Sequence, residues 1–259
     1  MDKTSLGDRM KAYENIERRY LTRRAPMCIR VDGKNFHSFT KGFDRPFDES
    51  FLTCMRYTML WLCKNIMGAK LGYTQSDEIT ILVTDDDTIE TDAWYGKNLQ
   101  KIVSISAAMA TKFFNDEVMR HVESRSAAEG LTRAYLTNRL AIFDARAFTV
   151  PREEVLNAFE FRQQDCTRNS IQSVGQAYFS HKELDHKSCN AIQNMLFTEK
   201  GVNWNDYPIA LKRGVCARKV PTLIDDNTCR DKWKLDMDIP IFHEHPEYIN
   251  DLVYHKETK

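Results

Sequence analysis

Three carboxylates, Asp32, Asp77 and Glu78, are the side chains in this sequence best suited to chemistry. Asp32 closes the apolar run MCIRV and precedes Gly33, while Asp77 and Glu78 follow Ser76 inside LGYTQSDEITILVT, residues 71–84. Two β-rich runs around a polar Ser-Asp-Glu step read as a hairpin with adjacent acids at its tip, and MCIRVD reads as a strand ending in a third acid. In neighbouring strands of one sheet the acids converge. Converging carboxylates repel unless a proton or a cation lies between them. The cation is the reading taken here: two hard carboxylates, a backbone carbonyl and open positions suit Mg²⁺, which completes its shell with water and nucleotide phosphates. That donor set points to phosphoryl or nucleotidyl transfer. In a two-metal site, ions ~3.5–4 Å apart activate the attacking hydroxyl and stabilise the leaving pyrophosphate. Asp32 and Asp77 are the expected ligands.

The loop after Asp32 extends this reading. Gly33 allows close backbone approach to a ligand, and successive amides of Lys34, Asn35, Phe36 and His37 can cradle a triphosphate. Lys34 adds a point charge. Phe36 and Phe39 can pack near a base or belong to the core, and Gly33 alone can also serve a simple turn.

The elements that must position these groups follow from periodicity. Leu6, Met10, Tyr13, Ile16 and Tyr20 predict an amphipathic helix within residues 5–24, stopped by Pro26. A strand to Asp32 and a polar, aromatic loop come next, then a helix over about 50–67 and the hairpin. A second long helix over about 94–114 precedes a charged stretch ending at Gly130, and LAIFDARAFTV supplies a last strand before Pro151. Strand, helix, strand, strand, helix, strand is the ferredoxin-like order, so the fold expected is α+β: a polymerase-palm sheet with helices on one face. Residues 1–150 form this catalytic part. Residues 151–259 read as a mostly helical region followed by two strands joined at an Asp-Asp-Asn turn, and are expected to contact RNA or to oligomerise.

With 259 residues, 42% apolar and 11% aromatic, the chain can build a real core. Lys plus Arg and Asp plus Glu balance at 37 each, so any nucleic-acid contact must come from local patches. Seven scattered cysteines without a CxxC pair fit reduced thiols rather than a zinc site. A charged N-terminus without a signal-length apolar core, and no span of ~20 apolar residues, lead to the expectation of a soluble cytoplasmic protein without membrane contact.

IRVDGKNFHSFTKGFDRPFD together with GYTQSDEITIL resembles the palm of the tRNA(His) guanylyltransferase family, whose members add nucleotides to RNA 5′ ends in the 3′-to-5′ direction. The likeness continues through FDAR at 143–146, FRQQDC at 161–166 and NWNDYP…KRG at 203–214, and so covers most of the chain. It implies that Asp32, the Gly33 carbonyl and Asp77 hold two Mg²⁺ ions and that Glu78 supports the site. By the same likeness Asp32 through His37, with Ser76 and Asp77, contact the nucleotide. ATP and GTP are the implied substrates, tRNA is the implied partner and a homotetramer the implied assembly. Lys97 and Lys101 fall on the helix after the hairpin and can meet phosphates. Members that add G to tRNA(His) carry a histidine where this chain has Thr167, so the resemblance favours template-dependent repair of truncated tRNA 5′ ends, with G addition to tRNA(His) as the alternative. A nucleotidyl-cyclase-like palm and a non-catalytic RNA-binding module share parts of the pattern. Arg18, Arg19, Arg23 and Arg24, the pair Arg162 and Arg168, and Lys212, Arg213, Arg218 and Lys219 are the patches offered for RNA phosphates.

Overall fold

The computed structural model describes residues 5–225 and 228–254. Among these, six strands form one antiparallel sheet in the order β4-β1-β3-β2-β5-β6. They are β1 (Met27–Gly33), β2 (Ala69–Gln75), β3 (Glu78–Val83), β4 (Phe143–Thr149), β5 (Val215–Asp225) and β6 (Thr228–Asp236). The first four have the ferredoxin-like order, and β5 and β6 extend the sheet past the β2 edge. The Asp226-Asn227 part of the expected turn lies outside the described residues. The helices are α1 (Leu6–Ile16), α2 (Phe36–Phe39), α3 (Glu49–Asn65), α4 (Leu99–Glu123), α5 (Glu129–Leu136), α6 (Val155–Tyr178), α7 (His181–Leu184), α8 (Cys189–Lys200), α9 (Ile209–Arg213) and α10 (Glu247–Asn250).

Strand alternation divides the core between the two faces of the sheet. Met27, Ile29, Val31, Ile79, Ile81 and Val83 face α3 and α4, where they meet Met55, Met59, Leu62 and Phe114. Cys28, Leu82, Leu71 and Tyr73 face the opposite way, onto Val155, Phe159 and Cys166 of α6 and onto Ile239, Phe242 and Ile249. The palm helices α3 and α4 thus lie on one face, as expected, while α6 of the C-terminal region covers Cys28, Leu82, Leu71 and Tyr73 on the other, apolar surface that would otherwise stay in water. A third cluster joins α6 to α8 through Ile171, Val174, Ile192, Leu196 and Trp204.

Local signals fix several boundaries. Asp48 caps α3, its carboxylate accepting the Phe51 amide at 2.9 Å. Asn98 caps α4 in the same way through the Lys101 amide at 3.0 Å. The α4 helix runs to Glu123, beyond the expected end, and Gly130 lies inside α5 rather than closing a segment. A side chain at Gly130 would meet the Gly42 carbonyl oxygen at 2.6 Å, so glycine lets α5 touch the 42–43 backbone. The helix α1 is shorter than predicted and buries none of its residues.

Candidate active site

Register turns the three predicted carboxylates into an ordered pattern. Asp32 pairs with Glu78 on β3 and with Asp144 on β4; two residues back, Arg30 pairs with Thr80 and Arg146. Since i and i+2 share a face, a row of acids (Asp144, Asp32, Glu78) lies one step along the strands from a pair of arginines (Arg146, Arg30). Arg146 reaches Asp32 at 3.8 Å and Asp144 at 3.6 Å.

Ser76 and Asp77 form the two-residue connection of the β2–β3 hairpin, with Gln75 opposite Glu78 and Ser76 at φ 49°. The Gly33 amide donates to the Asp77 carbonyl oxygen at 3.1 Å, tying the end of β1 to this turn. Burial pushes the Asp77 carboxyl above its ordinary range and the charge of Asp32 adds to this, against its own amide and the Ser76 hydroxyl 3.1 Å away. Glu78 is not at the hairpin tip. As the first residue of β3 its side chain turns inward, 2.9 Å from Arg162 Nη1 and 3.9 Å from Arg30 Nε. Burial raises its carboxyl even against these two guanidinium groups.

The loop after Asp32 is partly what the sequence predicts. A Cβ on Gly33 would lie 2.3 Å from the Phe36 ring, so what approaches this glycine is the protein's own aromatic side chain. Phe36 is buried among Phe39, Phe51, Phe114 and Phe143, with centroids 5.0–6.1 Å apart, and Phe39 shares that cluster. Both rings belong to the core, leaving Phe36 only its backbone to offer a ligand. The Lys34 amide is already bonded to the Ile142 carbonyl oxygen at 2.8 Å and drops out of the expected cradle. The amides of Asn35, Phe36 and His37 remain at the start of α2, where Asn35 takes φ 57°. The Lys34, Asn35 and His37 side chains are exposed beside them, with His37 Nε2 3.2 Å from Ser38 Oγ.

A cavity of about 270 Å³ opens beside Ser76, between the loop before α3, α3 itself, α6 and α9. Asp44, Asp48, Arg56, Asn169 and Gln176 supply polar groups, and Phe47 and Leu211 apolar wall. This size suits one nucleoside. Among the described residues no group of three or more His, Cys, Asp and Glu side chains could hold a metal on its own. The donor set still fits Mg²⁺, which seldom uses an all-protein cage: Asp32 stands close enough for its charge to raise the Asp77 carboxyl, with the Gly33 backbone joined to the same turn.

Several predicted phosphate contacts are employed elsewhere. Lys97 is 1% exposed, donating to the Ala25 carbonyl oxygen at 2.7 Å and paired with Asp85 at 3.2 Å. Arg23 also binds Asp85, and Arg24 donates to the Thr88 carbonyl oxygen, so these two of the four N-terminal arginines tie the segment to the stretch after β3, while Arg18 and Arg19 are exposed. Lys212 is buried, donating to the Asn205 carbonyl oxygen and facing Trp204. Arg162 points to Glu78, and Arg168 pairs with Asp165. Lys101 and Lys219 remain exposed, Lys219 over the Trp233 ring. Sequence reasoning gave no role to Arg30, Asp144 and Arg146, although IRVDG and FDAR contain them. Arg30 could have been found two residues before Asp32; the other two needed the β1–β4 register. All seven cysteines are free thiols.

A ferredoxin-like palm with paired carboxylates at the β1 end and the adjoining hairpin, beside a nucleoside-sized cavity, belongs to the nucleotidyltransferase class. Residues 7–151 match the family described as Thg1: tRNAHis guanylyltransferase, and the chain belongs to that family as a tRNA guanylyltransferase-like nucleotidyltransferase. A solved bacterial tRNA(His) guanylyltransferase (Thg1)-like protein in complex with ATP is 43% identical, with TM-score 0.85 over 96% of this chain and 99% of that one. A complex of such a protein with GTP gives 41% identity and TM-score 0.81, covering 97% and 100%. The tRNA(His) guanylyltransferase of Schizosaccharomyces pombe is 25% identical over 218 residues, 79% of this chain and 77% of the yeast protein. No helix among the described residues is long and apolar enough to cross a membrane.

Proposed function

We propose that this chain is a Mg²⁺-dependent nucleotidyltransferase that adds nucleotides in the 3′-to-5′ direction to truncated tRNA 5′ ends, using the opposite strand as template. The observation that carries the reading is the adjacency of Asp32 and the Ser76-Asp77 turn, whose Ser76 lines the cavity between α3 and α6. The ATP and GTP bound by similar bacterial proteins support it. Asp32, Asp77 and the Gly33 carbonyl would hold two Mg²⁺ ions, which when bound neutralise phosphate charge and make a hydroxyl easier to deprotonate.

The chain's own residues do the rest. Exposed Lys34 and the amides of Asn35, Phe36 and His37 hold triphosphate oxygens at the start of α2. The cavity beside Ser76 takes the nucleoside of the activating ATP. The RNA 5′ phosphate attacks the ATP α-phosphorus, expelling pyrophosphate; the 3′ hydroxyl of the incoming nucleotide then attacks the activated 5′ phosphorus and expels AMP. Arg146 lies beside Asp32 and can counter charge on the 5′ phosphate. Base choice is left to pairing with the template. Thr167 supports repair over tRNA(His) selection: its hydroxyl donates to the Gln163 carbonyl oxygen of its own helix at 3.1 Å, and it offers no ring for stacking. The same reading carries a homotetramer working in the cytoplasm.

Incubation with Mg²⁺, ATP, nucleoside triphosphates and labelled tRNA lacking its 5′ nucleotide should give template-matched extension, and Asp32→Ala should abolish it while RNA affinity is kept. Cyclic nucleotide formed without RNA, addition of G to tRNA(His) alone, or RNA retention without turnover would each replace this reading with one of its competitors.

A further inference from the structure

The α6 helix contributes one cation to the carboxylate face, and it is directed away from solvent. Arg162 has a side chain only 12% exposed; its Nη1 lies 2.9 Å from Glu78 Oε2 and 3.6 Å from Asp165 Oδ2. Its guanidinium also lies over the Phe161 ring, with Cζ 4.2 Å from the centroid, a second contact on the same cation. Glu78 in turn sits next to Asp77 in the chain and opposite Asp32 in the sheet. Without Arg162, the buried Glu78 carboxylate would keep a long hydrogen bond from the Thr80 hydroxyl at 3.4 Å and, as its nearest cation, the more distant Arg30 at 3.9 Å, while Asp32 repels it from the same face. A buried charge losing its partner moves or draws in water, and here it would move the first residue after the catalytic turn.

We propose that Arg162 is a positioning residue: by holding Glu78 it fixes the Ser76-Asp77 turn, so that α6 sets where the Asp77 carboxylate stands during nucleotidyl transfer. The proposal rests on the function proposed above. It assigns to α6 a task beyond packing and takes Arg162 out of the RNA-binding surface. A misplacement of ~1 Å in a reacting constellation costs on the order of 100-fold in rate, which sets the expected size of the effect.

The test compares wild type, Arg162→Met and Arg162→Lys in the 5′-extension assay, with RNA affinity measured separately as a function of salt. Arg162→Met should lower kcat at saturating RNA by about 100-fold, leave KM for RNA and the salt dependence of binding unchanged, and be partly rescued by Arg162→Lys. A raised KM with a salt slope smaller by about one and kcat intact would make Arg162 a phosphate contact and overturn the proposal. Equal losses in the Met and Lys variants would also overturn it. A melting series needs no turnover: Arg162→Met combined with Glu78→Gln should melt no lower than the worse single variant, and additive losses refute the linkage. Wild-type inactivity on RNA would defeat the functional reading while leaving this melting series to decide the Arg162–Glu78 coupling.

Discussion

Replacing Asp77 by asparagine should make the metal-free protein more stable and catalytically dead. Asp77 is half-buried, its carboxyl is raised by burial and by Asp32, and the turn that carries it is tied to Gly33. Two unit charges ~6 Å apart at an effective dielectric constant of ~20 repel by about 3 kcal/mol. Asp32 is 36% exposed, so solvent and salt screen most of this, leaving about 1 kcal/mol. Asparagine keeps the shape of the side chain and cannot ionise. In EDTA at neutral pH and low salt, the urea midpoint of Asp77→Asn should rise by about 0.3 M, taking a denaturant slope of ~3 kcal/mol/M, and the gain should shrink at high salt. Mg²⁺ with ATP should reverse the order. At about 100 times its dissociation constant the ligand stabilises wild type by ~2.7 kcal/mol, and the variant should receive little of this. A lower midpoint for Asp77→Asn in EDTA, or undiminished stabilisation of the variant by Mg²⁺ and ATP, would refute the view that Asp77 is strained in order to bind a cation.

Phe36→Ala should cost about 3–5 kcal/mol of stability, the range for truncating a buried aromatic, with the KM for ATP of the remaining folded enzyme unchanged; a stable variant with weakened nucleotide affinity would return Phe36 to the ligand site. Lys97→Met should cost about 3 kcal/mol, the lower end for breaking a buried pair, because Asp85 keeps Arg23 at 2.9 Å and the Arg24 amide at 3.0 Å. Thermal melts with and without ATP would check this, a nucleotide-binding defect in a fully stable protein being the contrary result. Burial pushes the Asp85 carboxyl up, but the Arg24 amide, Lys97 and Arg23 together hold it below the ordinary range. Its contribution is therefore complete above the unfolded carboxylate value and is lost as pH falls through the depressed folded value. Acid unfolding followed by circular dichroism should show a shallower low-pH loss in Lys97→Met than in wild type.

The site was legible where the chemistry is local. Strand-Asp-Gly and hairpin-Ser-Asp are short patterns in which period-two alternation decides which side chains share a face, and their order along the chain gave the ferredoxin-like sheet. The β5–β6 hairpin was legible for the same reason. What failed were questions of destination. Lys97 and Lys101 look alike as two lysines near a helix start, yet one is buried because Asp85, left by the exit of β3, waits beneath it. Phe36 looks like a loop aromatic until β4 brings Phe143 and α4 brings Phe114 against it.

By itself, then, the sequence determined the carboxylate pair, the strand order and the chemistry such a pair can do. Only the tertiary structure decided that Glu78 faces Arg162, that Asp144 and Arg146 complete the carboxylate face, and that Lys97, Arg162 and Lys212, offered for phosphates, are turned to internal partners. The reason is physical: alternation along a strand is set by backbone geometry, whereas the partner of a buried charge is set by register and by packing between segments far apart in the chain.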